Sequence, residues 1–143
     1  MSTVKQFQVA FDCADTKRVA AFWCEVLGYV TPPPPGGFDS WDAFDASLAP
    51  ENRGSAVIVD PTGAGPRLYF QPVPEGKTAK NRMHLCVRAG TGLTGDERLA
   101  ALQAECERLV ALGAVRQRVL HADGDNESTI VMQDVEGNEF CLD

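Results

Sequence analysis

At 143 residues, with 44% hydrophobic and 23% charged positions, the chain has the make-up of one folded globular domain and not of a disordered segment. Its net charge of −7 and isoelectric point near 4.8 oppose phosphate backbones and anionic bilayers, which argues against nucleic-acid or membrane partners. The five cysteines, Cys13, Cys24, Cys86, Cys106 and Cys141, are scattered, and the polar start Met1-Ser2-Thr3-Val4-Lys5 lacks a signal-peptide apolar core, so reduced thiols in a cytoplasmic protein are expected.

The first element alternates, with Phe7, Val9 and Phe11 on one face and Gln8, Ala10 and Asp12 on the other, which predicts a half-buried strand. Asp15 is placed to cap a helix whose stripe is Val19, Phe22, Trp23, Val26 and Leu27, and Gly28 stands where a left-handed cap ends it. The run Pro32-Pro33-Pro34-Pro35-Gly36-Gly37 has no amide donors over its prolines and reads as an extended surface connection. Beyond it, Trp41, Phe44 and Leu48 have the spacing of one short amphipathic helix. Strands are expected over Ser55–Asp60 and Arg67–Gln71, joined by the turn-rich loop Pro61-Thr62-Gly63-Ala64-Gly65-Pro66.

After a polar hinge from Pro72 to Lys80 the plan begins again. Met83–Arg88 reads as a strand with Met83, Leu85 and Val87 on one face. Thr94 and Glu97 have capping-box spacing. The helix that follows carries Leu99, Leu102, Cys106, Leu109 and Val110 and stops at Gly113. Strands near Val115–Leu120, Thr129–Gln133 and Glu139–Leu142 complete the chain. The two halves match in order: Val26-Leu27-Gly28-Tyr29-Val30 with Ala111-Leu112-Gly113-Ala114-Val115, and Asp60-Pro61-Thr62-Gly63 with Asp134-Val135-Glu136-Gly137. An internal duplication of a strand-helix-strands unit explains both.

With these residues placed, Asp15, Phe22-Trp23 and Leu27-Gly28-Tyr29 resemble the signature of the vicinal oxygen chelate superfamily, which includes glyoxalase I, extradiol dioxygenases and bleomycin- and fosfomycin-resistance proteins. Asp134, Gly137-Asn138 and Glu139-Phe140 resemble its closing hairpin, and the stretch Lys77-Thr78-Ala79-Lys80-Asn81-Arg82 is similar to one in its glyoxalase-like domain proteins. The resemblance implies an α+β fold in which two βαβββ modules, about 4–74 and 80–143 of a single domain spanning 1–143, form a curved mixed sheet around a cleft. It also implies a homodimer.

Enzymes of this superfamily hold a divalent metal on ligands from the first and last strand of each module. Carried onto this chain, the ligand positions are Gln8, then Tyr69 with Gln71 next on the same face, then His84, and finally Cys141 where a glutamate is expected. No carboxylate lands on any of these positions, although Glu139 lies on the strand face of Cys141 and is a candidate substitute. Divalent cations bind neutral amides weakly, and His84 with Cys141 falls short of the usual three or four zinc ligands.

The expectation is therefore no conventional metal centre. A ligand pocket is assigned to Gln8, Tyr69, Gln71, His84, Glu139, Cys141 and Trp41. His84 is either a ligand or proton shuttle, or a satisfied half-buried histidine. Gln8 and Gln71 bond either to a small molecule or to backbone. Trp41 belongs either to a lid or to a buttress. The favoured function is glyoxalase-like binding of a small molecule. Its competitors are a metal-dependent lyase, isomerase or oxygenase using His84, and a purely structural dimer.

Overall fold

The computed structural model describes residues 3–143, which divide into two compact units, one ending at Gly76 and the other running Lys77–Asp143. In the first, strand β1 (Val9–Cys13) leads into helix α1 (Thr16–Leu27), and β2 (Ala56–Ile58) and β3 (Leu68–Pro72) follow the insertion. The sheet order is β1-β3-β2, with β1 parallel to β3 and β2 antiparallel to it. The parallel pairing requires a crossover, and α1 begins it. The Asp15 carboxylate accepts the Arg18 amide at 3.1 Å to start the helix, and Gly28 ends it at φ 71°. A glycine is favoured there because a side chain strains at positive φ.

One face of this sheet packs on α1. Trp23 is fully buried, with the Phe11 ring centroid 5.1 Å away, and Phe11 stacks at 5.1 Å on Phe70, its cross-strand partner. Val19, Phe22, Ile58 and Leu68 complete the core. Burying each large apolar side chain contributes roughly 1.5–3 kcal/mol. The alternate positions Ala10, Asp12, Tyr69 and Gln71 therefore lie on the face away from the helix.

The insertion forms α2 (Trp41–Ser47) and a 3-10 turn, Pro50–Asn52. Ser40 caps α2 by accepting the Ala43 amide at 3.0 Å. Asp45 accepts the Gly54 amide at 2.8 Å, Thr16 donates to the Gly54 carbonyl, and Lys17 pairs with Asp42 at 2.8 Å.

The second unit runs β4 (Leu85–Val87), α3 (Gly95–Ala111), β5 (Val115–Leu120), β6 (Thr129–Gln133) and β7 (Glu139–Leu142), with sheet order β4-β7-β6-β5. Here too the first strand is parallel to the last, and the remaining pairs are antiparallel. Leu102, Cys106 and Leu109 of α3 are buried, as are Ile130, Met132, Phe140 and Leu142 of the sheet, and Cys106 Sγ lies 3.4 Å from Met132 Sδ.

Both units thus share one connectivity, as the internal repeat predicts. The strand that matches β5 in the first unit shrinks to a single bridge, Val30 to Val59, because the prolines from Pro32 onward cannot continue a ladder. The matched hairpins are also alike. Asp60 Oδ1 accepts the Thr62 amide at 2.7 Å, and Asp134 Oδ1 accepts the Glu136 amide at 2.9 Å. Gly63 and Gly137 close the two turns onto the Asp60 and Asp134 carbonyls at 3.0 and 3.1 Å, with φ of 77° and 87°.

Four local expectations are corrected. The first strand begins at Val9, so Phe7 lies outside it and is 70% exposed; β4 begins at Leu85, leaving Met83 87% exposed. β1 starts where its parallel partner β3 starts, at Leu68, and the first residue of β4, Leu85, pairs with Phe140 of β7. Thr94 is the N-cap of α3, but its side chain makes no capping bond: Gly95 enters the helix at φ 56°, which turns the first amides away from the cap hydroxyl. Val110, expected on the buried stripe, is exposed. Among the described residues, no helix is long and apolar enough to cross a membrane.

Candidate functional site

In the second unit the candidate residues lie on the sheet face away from α3. Leu85 and Val87 of β4, and Phe140 and Leu142 of β7, form the core side of their paired register. The alternate positions are Cys86, with His84 just before the strand, and Glu139 and Cys141. Because β4 and β7 run parallel, Cys86 stands directly beside Cys141. The candidate ligand atoms of His84, Cys86 and Cys141 all lie within 4.8 Å of one another.

His84 and Cys86 are exposed, and Cys141 is half-buried. Burial pushes the Cys141 thiol up from its ordinary range, and the neighbouring Cys86 and Asp143 add to this, while the Lys80 charge acts the other way. Cys141 therefore resists becoming a free thiolate and gains most from a cation or another group that stabilises its charge.

Glu139, the only carboxylate among the residues proposed for the pocket, is already engaged. Its side chain is 8% exposed; Lys77 Nζ lies 3.0 Å from Oε2 and 3.2 Å from Oε1, and the Asn81 amide donates to Oε2 at 2.9 Å. Loss of solvent would raise its pKa, but the bonds from Asn81, Lys77 and its own amide, with the Lys77 charge, outweigh this and hold the carboxyl below its ordinary range. Lys77 also donates to the Ala79 carbonyl, so the polar stretch expected to be a hinge is tied to β7. The carboxylate faces a cation of its own chain, leaving it poorly placed to ligate a metal.

The other expected pocket residues stand in the first unit. Gln8 is exposed and precedes β1. Gln71 is exposed on β3, and half-buried Tyr69 shares a hydrogen bond of 2.7 Å between its hydroxyl and Ser55 Oγ. Trp41 donates its indole N–H to the Pro32 carbonyl at 2.7 Å and packs edge-on to Phe44 at 5.8 Å, bracing the proline run against α2. Cys86 is the site residue that sequence reasoning missed. Its alternation with His84 was a usable signal, but its pairing with Cys141 is non-local.

Comparison with known proteins agrees with this topology. The profile of the glyoxalase-like domain matches residues 8–142, so the chain belongs to that family and to the vicinal oxygen chelate superfamily. A glyoxalase/bleomycin resistance protein/dioxygenase family enzyme from Burkholderia phytofirmans shares 14% identity at TM-score 0.62, over 94% of each chain. A mutant of the fosfomycin resistance protein FosX from Listeria monocytogenes, solved with Mn(II) and 1S,2S-dihydroxypropylphosphonic acid, shares 12% identity at TM-score 0.67, over 99% of this chain and 92% of its own. A hypothetical protein from S. aureus gives 11% identity and TM-score 0.61, over 99% and 94%. At these identities the likeness is one of fold. No curated protein matches the chain.

The residues here do not fit a metal centre of the carboxylate type. The ligand atoms brought together in the second unit are one imidazole and two thiols, and Glu139 is held by Lys77 and Asn81. Hard cations such as Mn(II) favour carboxylate, carbonyl and water oxygens and bind thiols poorly.

Proposed function

We propose that this chain is a glyoxalase-like protein that binds a small molecule without a conventional metal centre. The observation that carries the reading is the state of β7: a cysteine, Cys141, occupies the final ligand position, and the nearby carboxylate, Glu139, is neutralised by Lys77. Support for a ligand comes from the polar groups on the helix-free sheet faces, Tyr69 and Gln71 in one unit and His84 in the other. The whole chain acts as one domain, as a cytoplasmic homodimer, with no nucleic-acid or membrane partner. The net charge of −7 supports the absence of nucleic-acid and membrane partners, and the edge position of β5, where Val115 and Leu120 are exposed, supports pairing with a second copy.

The test is a thermal-shift screen of the purified chain against a fragment library, with and without EDTA. A ligand present at a hundred times its Kd stabilises by about 2.7 kcal/mol. The reading expects hits whose shift EDTA leaves unchanged and Gln71→Ala reduces. Hits abolished by EDTA and restored by Mn(II) would replace it with a metal-dependent lyase, isomerase or oxygenase.

A further inference from the structure

We infer that His84, Cys86 and Cys141 form a thiolate site for a d10 cation, zinc(II) foremost, built wholly within the second unit. Its ligand atoms already lie within 4.8 Å of one another. Zinc bonds of about 2.3 Å to sulfur and 2.0–2.1 Å to nitrogen put tetrahedral ligand atoms about 3.5 Å apart. The exposure of His84 and Cys86 leaves their side chains free to rotate and narrow that gap.

The backbone supplies the rest of the order. Cys86 and Cys141 are fixed side by side in the parallel register of β4 and β7, and His84 projects from the same face as Cys86. A cation gathering these groups therefore orders few degrees of freedom. Two thiolates neutralise the dication, and binding releases both thiol protons as two sulfur–metal bonds form and two S–H bonds break. Three protein ligands leave the fourth tetrahedral position open to water or an incoming molecule. The ligand type selects zinc(II) or copper(I) over manganese or magnesium. Cys86 distinguishes this site from the family pattern carried over from sequence, which has no ligand at that position.

The experiment uses the full chain, reduced and freed of metal by a chelator, titrated with Co(II) as a spectroscopic stand-in for zinc and then with Zn(II). The expected result is one ion per chain, a sulfur-to-cobalt charge-transfer band, and displacement of cobalt by zinc. Cys86→Ser and Cys141→Ser should each weaken zinc binding by at least roughly 10–100-fold, the cost of losing even an outer-shell partner, because each removes a thiolate. Cys86→His, which keeps a ligand, should retain binding with a weaker sulfur band.

Cys86 is exposed, so circular dichroism of its variants should match the parent and exclude misfolding. Copper(I) retained at one per chain while zinc fails to bind would assign the site to the softer d10 ion. Failure of both ions to bind, binding unaltered in Cys86→Ser, or a Cys86–Cys141 disulfide whose reduction restores no metal uptake would each overturn the inference.

Discussion

Glu139 separates a structural role from a ligand role, and Glu139→Gln makes the separation measurable. The carboxylate is 8% exposed and accepts from Lys77, itself 24% exposed, and from the Asn81 amide. Each hydrogen bond to a buried charge contributes about 1.5–3 kcal/mol. A glutamine keeps one acceptor oxygen but turns an amino group toward a donor, so we expect about 2 kcal/mol of lost stability. For a chain of this size that is roughly 6 °C in Tm.

Urea denaturation reads the loss, and the double-mutant cycle with Lys77→Met should return a coupling of roughly 1–2 kcal/mol. Since folding lowers the Glu139 pKa, this stabilisation is whole above the ordinary value of 4.5 and disappears as pH falls through the lower folded value. Parent and variant should therefore converge in stability in acid. Zinc affinity should be unchanged in Glu139→Gln. A variant within about 0.5 kcal/mol of the parent at neutral pH, or one that loses metal binding while keeping its fold, would refute the reasoning.

Other outcomes follow from the hairpins and the core. Asp134→Ala removes the buried carboxylate that accepts the Glu136 and Asn138 amides, each at 2.9 Å, and should cost about 2–3 kcal/mol by chemical denaturation. Gly65→Ala places a methyl group against the Tyr29 hydroxyl and should cost about 1–3 kcal/mol, with Tyr29→Phe restoring part of it. Trp23→Ala empties the centre of the first unit and should cost about 3–5 kcal/mol, read as a lower urea midpoint.

Local signals made most of the fold legible. The Asp15 cap, the left-handed Gly28 and the stripe through Val19, Trp23 and Val26 define α1 without tertiary information, and the structure agrees. The repeated Asp-x-x-Gly turns announced the duplication, since both need an acceptor at the first position and a positive φ at the last. Strand ends were less legible, because Phe7 and Met83 continue an apolar alternation that the parallel partner does not extend to meet.

The site was legible only in part. The family resemblance singled out His84 and Cys141, but the neighbour that stands with them, Cys86, is set by the register of two strands far apart in sequence. The engagement of Glu139 by Lys77 is likewise tertiary, and nothing in the local spacing of either residue signals it.

Calorimetric titration of Mn(II) into the reduced, metal-free chain asks most directly whether a hard metal has a place here. With thiols on the ligand face and Glu139 held by Lys77, no stoichiometric uptake is predicted at micromolar protein. One tightly bound manganese per chain, lost on His84→Ala or Glu139→Gln in folded variants, would contradict the account.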